Sequence, residues 1–213
     1  MQVDEIIFSK IKATDQVGAE LPEMYTYIDK INAFIKKNYD KEITILEQKK
    51  SFEDYFYTVK KTGKTYGFPY TISAWCNDRL KIRVFKEYYK KQKEEYVTYI
   101  GIAYDEPKRL ARLKENERAP LATEWKMTEE DCLKFLEDRG LDNPLYEKFD
   151  RLGCWFCPKQ SLKSLRVLRR DYPDLWEIIL KWQEDSKVPF RADYNAFELE
   201  EKFKREDDQL RIL

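Results

Sequence analysis

The sequence predicts an α/β fold, a mostly parallel sheet flanked by helices, followed by a helical, cysteine-containing C-terminal part. Three observations predict it. Strand-like and helix-like hydrophobic patterns alternate between residues 3 and 104. Beyond residue 126 the apolar residues recur at helical spacing. A Cys-x-x-Cys turn at 154–157 interrupts that helical part. The expected division is residues 1–125 for the α/β domain and 126–213 for the helical region.

Taken in order, "VDEIIF" (3–8) reads as a short buried strand. "ELPEMYTYIDKINAFIKK" (20–37) reads as a helix, with Met24, Tyr27, Ile28, Ile31, Phe34 and Ile35 at helical spacing and Pro22 in its first turn. "EITILE" (42–47) alternates as a strand does, and "KKTGKTYGFPYT" (60–71) is a loop. "NDRLKIRVFKEYYKKQK" (77–93) reads as a helix capped by Asp78, and "EYVTYIGIAY" (95–104) as the strongest strand. Thr128 and Asp131 form a capping box that opens a helix over 129–140, closed at Gly140. "SLKSLRVLRRDYPDLWEIILKWQEDS" (161–186) gives two helices broken near Pro173, with Leu175, Ile178, Ile179 and Trp182 on the buried side of the second. The charge-dense stretch from Ala196 onward is expected as a peripheral helix or frayed tail.

The composition narrows the function classes. The 213 residues include 40 basic and 40 acidic side chains, so no net field steers the whole molecule toward polyanions. No apolar run is long enough for a transmembrane helix, and the N-terminus lacks the basic-then-apolar order of a signal peptide, so a cytoplasmic protein without membrane attachment is expected. In that reducing compartment a Cys-x-x-Cys turn points to metal binding or transient redox chemistry. The sequence contains no histidine, so ligands beyond the Cys-x-x-Cys pair must be other thiolates, carboxylates or external groups. Gly153 and Pro158 shape the turn that carries Cys154 and Cys157. Cys132 takes an apolar helix position and is expected in the core. The tryptophans are expected as core anchors, with Trp155 also shielding the cysteines.

Two basic clusters flank the cysteines in sequence. Arg79, Lys81, Arg83, Lys86, Lys90, Lys91 and Lys93 interleave with Phe85, Tyr88 and Tyr89, a pattern suited to nucleic-acid phosphates and stacked bases. Lys163 and Arg166 belong to a second cluster with Lys159, Arg169 and Arg170. The competing reading of both is a solvated face balanced by nearby acids. "TGKT" (62–65) is not a Walker-type loop, since Thr58 stands where that motif needs glycine.

The ordered motifs "DEIIF", "GAELPEMYTYIDK", "AWCNDRLK", "YIGIAYDEPKRL", "PLATEWKMTEEDCLKFLEDRGLDNPLY" and "RLGCWFCPK" resemble the phosphoadenosine phosphosulfate (PAPS) reductase family, of the adenine nucleotide α-hydrolase-like superfamily. The resemblance spans roughly residues 3–160 and is closest to members found in phage and in DNA phosphorothioation systems. It implies that Cys76, in the family's tryptophan-cysteine motif, joins Cys154 and Cys157 at one site. It also implies an iron–sulfur cluster there, with zinc as the alternative and the fourth ligand open among Cys132, a carboxylate or an external group. Asp105, Glu106, Lys108 and Arg109 match the segment that the family uses toward the substrate's phosphate or sulfate, so an adenine nucleotide is an expected ligand.

The departures shape the functional expectation. The first strand and the Ser-Gly-Gly-Lys-Asp-Ser phosphate loop of the family have no counterpart; none of the six glycines is adjacent to another. Thr14, Asp15 and Gly18 are present, but not as the contiguous family motif. Three readings therefore compete. One is a PAPS reductase-like enzyme of sulfur transfer or nucleic-acid sulfur modification, not fully active as an isolated chain. Another is an inactive phage-type binding or inhibitory module. The last is half of a split enzyme whose phosphate loop comes from a protein partner, with homodimerisation through the open sheet edge as a further expectation.

Overall fold

The computed structural model describes residues 2–69, 74–92 and 95–210. Positions 70 and 71 of the predicted loop, and Lys93 of the predicted basic helix, lie outside them. Among the described residues the fold is mixed α/β, with two small parallel sheets and many helices, and the chain divides into two compact units. The first unit joins residues 1–87 to 144–213; the second comprises 88–143. The 125/126 position suggested by the sequence falls inside the second unit.

The first unit opens with a β-α-β element. Strand β1 (Ile6–Lys10) pairs in parallel with β2 (Ile43–Glu47), from Ile6 opposite Ile43 to Lys10 opposite Glu47. Helix α1 (Pro22–Tyr39) makes the crossover that a parallel pair requires. Pro22 sits in its first turn, Glu23 and the pair Lys36 and Lys37 match the helix dipole at opposite ends, and Asp40 stops it in the left-handed region at φ 51°. No residue of α1 is fully buried, and every position of β1 is only partly covered.

The hydrophobic centre of this unit lies elsewhere. It gathers around α2 (Phe52–Phe56), whose capping box is made by Ser51 and Asp54, and around the later helices. Phe52, Phe56, Trp155, Phe156, Trp182, Phe190 and Phe203 are all buried in one cluster with Leu165, Leu168, Ile179 and Leu199. Fully burying each such side chain is worth about 1.5–3 kcal/mol, so the aromatic cluster outweighs the thin sheet.

The predicted helix at 77–93 begins earlier, at α3 (Trp75–Asn77), continues as a π-helical turn (Asp78–Ile82) and ends as α4 (Arg83–Tyr89). Asp78 is therefore not its N-cap. Ala74 stands at the start without a side-chain cap, and the Asp78 carbonyl accepts the Arg83 N–H, the five-residue bond of a π turn.

In the second unit the stretch 95–104 shortens to β3 (Thr98–Tyr99). After the turn α5 (Pro107–Leu110), β3 pairs in parallel with β4 (Glu117–Arg118) and does not extend the first sheet. The physical reason is one-sided packing. Ile102 is buried with Ala119 and Ala122, while Tyr96, Val97, Tyr99 and Tyr104 are exposed, and the Ile102 N–H turns back to the Ile100 carbonyl at 2.9 Å. The short α6 (Pro120–Thr123) leads to α7 (Glu129–Glu137), which carries the predicted Thr128–Asp131 capping box, and Gly140 follows at φ 62°. Cys132 on α7 is only partly buried and belongs to no core cluster, contrary to its expected core position. Trp125 is 53% exposed and is no core anchor.

Back in the first unit, a 3-10 turn (Pro144–Glu147) precedes α8 (Leu162–Asp171), α9 (Pro173–Asp185) and α10 (Ala196–Leu210). Ser161 caps α8 by accepting the Ser164 N–H, and Pro173 separates α8 from α9 as the sequence predicts. Helix α10 is not frayed. Ala196, Leu199 and Phe203 are fully buried, and its acids meet the basic face of α8.

Candidate functional site

Phe52 is the anchor that draws two distant cysteine segments together. Trp75 stacks on it at 5.1 Å with ring planes 18° apart, and Phe156 packs on it at 4.3 Å. Cys76 follows Trp75 directly, and Phe156 lies between Cys154 and Cys157. Fixing both aromatic neighbours on one ring therefore fixes the backbones that carry all three thiols.

The Cys turn itself is held from both sides. The Cys157 N–H donates to the Cys154 carbonyl at 3.0 Å, which closes the turn, and the Gln160 N–H donates to the Cys157 carbonyl at 3.0 Å. Arg191 donates to the carbonyls of Pro158 at 3.0 Å and Gln160 at 2.5 Å. From the N-terminal side, Trp155 N–H donates to the Ala19 carbonyl at 2.9 Å, and its indole Nε1 donates to the Gly18 carbonyl at 2.8 Å. Trp155 also stacks on Trp182 at 5.7 Å and is buried, so it is a core residue.

Burial is the leading influence on two of the three thiols. Burial, the Glu20 carboxylate and the thiols of Cys157 and Cys76 push the Cys154 thiol up, against the pull of Lys81. Burial and then Cys157 raise the Cys76 thiol. Arg151 donates to Cys157 Sγ at 3.4 Å. All four cysteines are free thiols. Among the described residues, which include all four cysteines, no three Cys, Asp or Glu side chains stand where they could hold a metal ion.

Glu20 is the feature that sequence reasoning missed. It is 9% exposed, burial raises its carboxyl pKa, and Lys81 opposes that rise. Tyr25 lies beside it, its hydroxyl accepting the Glu20 N–H at 3.4 Å. Burial chiefly raises the Tyr25 pKa as well; the hydrogen bond from the Glu20 N–H lowers it, and the Glu20 and Cys154 charges raise it. The available signal was an acid set between Ala19 and Leu21 just ahead of a helix-starting proline.

The remaining candidates separate. Lys81 is half-buried on the π-helical turn and opposes the rise of the Glu20, Cys76 and Cys154 groups. Arg79 packs against Tyr55 and Tyr66, 5.4 and 4.9 Å from their ring centroids, and donates to the Tyr66 hydroxyl at 2.5 Å. Arg83 and Lys86 are exposed on α4. Lys163 pairs with Asp150 at 2.9 Å, and Arg166 pairs with Glu206 at 2.5 Å. Arg169 bonds Glu200 and Asp207, each at 2.7 Å, so the second basic cluster is largely neutralised by the chain's own acids.

Asp105, Glu106, Lys108 and Arg109 lie together in the second unit. Asp105 accepts the Glu129 N–H at 3.1 Å at the start of α7, and Glu106 binds Arg109 at 2.6 and 2.7 Å while accepting the Ala103 N–H. Two of the four charges thus satisfy each other within one turn, and the Glu106 carboxyl is held below its usual range by that guanidinium. Among the described residues, no helix is long and apolar enough to cross a membrane.

No known family profile matches the chain. Over 117 residues it is 34% identical to the uncharacterized nin region protein ORF290 of Escherichia phage lambda, covering 54% of this chain and 39% of that protein. It is 30% identical over 131 residues to the uncharacterized protein MJ0066 of Methanocaldococcus jannaschii, covering 56% of this chain and 26% of that protein. The uncharacterized protein MJ0973 of the same organism is 29% identical over 166 residues, covering 72% of this chain and 38% of the relative. The chain thus spans about a quarter to two fifths of the length of these curated relatives.

Proposed function

We propose that this chain is a PAPS reductase-like protein that binds a metal centre through Cys76, Cys154 and Cys157 and serves sulfur transfer or the sulfur modification of nucleic acid. One observation carries the reading: Trp75, next to Cys76, and Phe156, inside the 154–157 turn, pack on the same Phe52 ring at 5.1 and 4.3 Å, although 78 positions separate Cys76 from Cys154. Three soft thiolates suit an iron–sulfur cluster or zinc, and neither needs the histidine that the chain lacks. Bound there, an iron–sulfur cluster supplies electrons or a site for sulfur. The protein's own contributions are to hold the thiols on the Phe52 anchor, to place Lys81 and Arg151 as compensating cations, and to exclude water with Trp155.

A second reading is favoured by the turn at Asp105–Arg109. Its capping bond and internal ion pair leave less charge to offer a nucleotide phosphate, and preorganised donors are what phosphoryl and adenylyl transfer require. On that reading the chain alone is a binding module, or one part of an assembly whose phosphate loop comes from a protein partner.

Anaerobic purification, metal analysis and titration with adenosine triphosphate test both. The first reading expects iron or zinc in stoichiometric amount, and metal-free protein contradicts it. The second expects no nucleotide hydrolysis by the isolated chain, and turnover contradicts it.

A further inference from the structure

Lys50, Arg79 and Lys60 gather around two tyrosine rings of the first unit. Lys50 lies 5.6 Å and Arg79 5.4 Å from the centre of the Tyr55 ring, while Arg79 lies 4.9 Å and Lys60 4.6 Å from the centre of the Tyr66 ring. A small hairpin fixes this order. Val59 bridges Thr65, the Lys60 N–H donates to the Lys64 carbonyl at 2.8 Å, and the Tyr66 N–H donates to the Thr58 carbonyl at 3.2 Å. Lys61 and Lys64 add exposed charge on the same hairpin. Among the described residues, none of these five cations pairs with a carboxylate. Both acids of the neighbouring α2 serve other groups: Glu53 accepts the Trp182 indole N–H at 2.8 Å, and Asp54 accepts the Ser51 N–H at 2.7 Å. On α8, by contrast, Lys163, Arg166 and Arg169 each meet an acid. The neutral chain thus carries one locally positive surface whose charge is not met from within.

We propose that this hairpin, together with Lys50 and Arg79, is the surface that seats the sugar-phosphate backbone of nucleic acid. The inference rests on the reading above for the class of partner, adds where that partner sits, and does not depend on a metal. Arg79 is the fixed member. Two rings and its bond to the Tyr66 hydroxyl hold it, so its guanidinium loses little freedom when a phosphate arrives. Lys50 and Lys60 are exposed point charges on flexible stems, which follow phosphates without a set register. Tyr55 is buried, Tyr66 is half-buried, and both rings already carry cations, so neither offers a face on which a base could stack. Contact is therefore made through charge and is insensitive to base sequence.

The test uses the full chain and a fluorescein-labelled oligonucleotide, offered as single strand and as duplex, with fluorescence anisotropy read across a salt series. Wild-type protein is expected to bind, its log affinity falling linearly with log salt concentration, and the form bound more tightly identifies the source of the phosphates. Lys50→Gln and Lys60→Gln should each reduce the steepness of that line by about 0.7 for a single strand or about 0.9 for a duplex. The double variant should bind at least about tenfold more weakly at low salt. Lys36→Gln, whose charge Glu42 already meets, should leave the line unchanged. Both target lysines are exposed, so the variants are expected to fold, and a melting curve checks this. Binding with an unaltered salt dependence in Lys50→Gln and Lys60→Gln overturns this surface alone. No binding of either form by wild type overturns the nucleic-acid part of the reading beneath it as well. Displacement of the oligonucleotide by polyglutamate at equal charge concentration overturns nucleic acid as the occupant.

Discussion

Phe52 and Phe156 pack with ring centroids 4.3 Å apart, and through that contact a residue of α2 sets the position of the Cys154–Cys157 turn. Trp75 stacks on the same Phe52 ring, so the segment carrying Cys76 is set by it too. The thiol site is thus a by-product of core packing. Phe52→Ala should cost about 3–5 kcal/mol and raise the reactivity of all three thiols together. Urea denaturation and timed alkylation measure both effects; a large stability loss with unchanged thiol reactivity would separate the core from the site.

Cys154→Ser should abolish metal binding and weaken cooperative unfolding of the part of the chain that packs on the turn, since metal-binding free energy at such a site adds to folding free energy. Metal analysis beside a chemical denaturation curve reads this directly. Unchanged metal content refutes it.

Gly18→Ala tests the close approach beside the turn. A methyl group there meets the Tyr25 hydroxyl oxygen at 2.0 Å and its Cζ at 2.6 Å, so the ring must move. The expected loss is about 1–3 kcal/mol. Gly101→Ala, with nothing within 4 Å of the added carbon, serves as the control and should shift stability by less than about 0.5 kcal/mol.

The docking of α10 should be acid-sensitive. Arg166 holds the Glu206 carboxyl at about 2, down from its ordinary 4.5. Because that folded value is depressed, the stabilisation is full above the ordinary carboxylate range and disappears as pH falls from about 4.5 toward 2. The pair is partly exposed, so it is worth no more than about 1 kcal/mol. Glu206→Gln should therefore flatten part of the acid limb of a stability-versus-pH curve and lower stability slightly at neutral pH. An identical acid limb in the variant contradicts the assignment.

Local signals were the legible part of the sequence. Pro22 and the apolar stripe of α1, the Thr128–Asp131 capping box and the break at Pro173 depend on residues within a few positions of one another, and the structure has each. Long-range choices were less legible. The run 95–104 alternates well, yet whether it joins the first sheet depends on partners that its own residues do not name, and it settled for two paired residues with β4. Charge balance across α8 and α10 was likewise invisible locally, because Arg166 and Glu206 are 40 positions apart. At the thiol site the cysteines announced themselves by type, whereas Glu20 looked like any surface acid. Its burial shows only in the structure, where Trp155 bonds the carbonyls of Gly18 and Ala19 just before it.

The most direct measurement of the central claim needs no metal. Reduced, native protein is treated with a short bifunctional thiol reagent such as dibromobimane, digested and mapped by mass spectrometry. Peptides joining Cys76 to Cys154 or Cys157 are the predicted result. Cross-links confined to Cys154 and Cys157, with Cys76 recovered only as singly modified peptide, would contradict it.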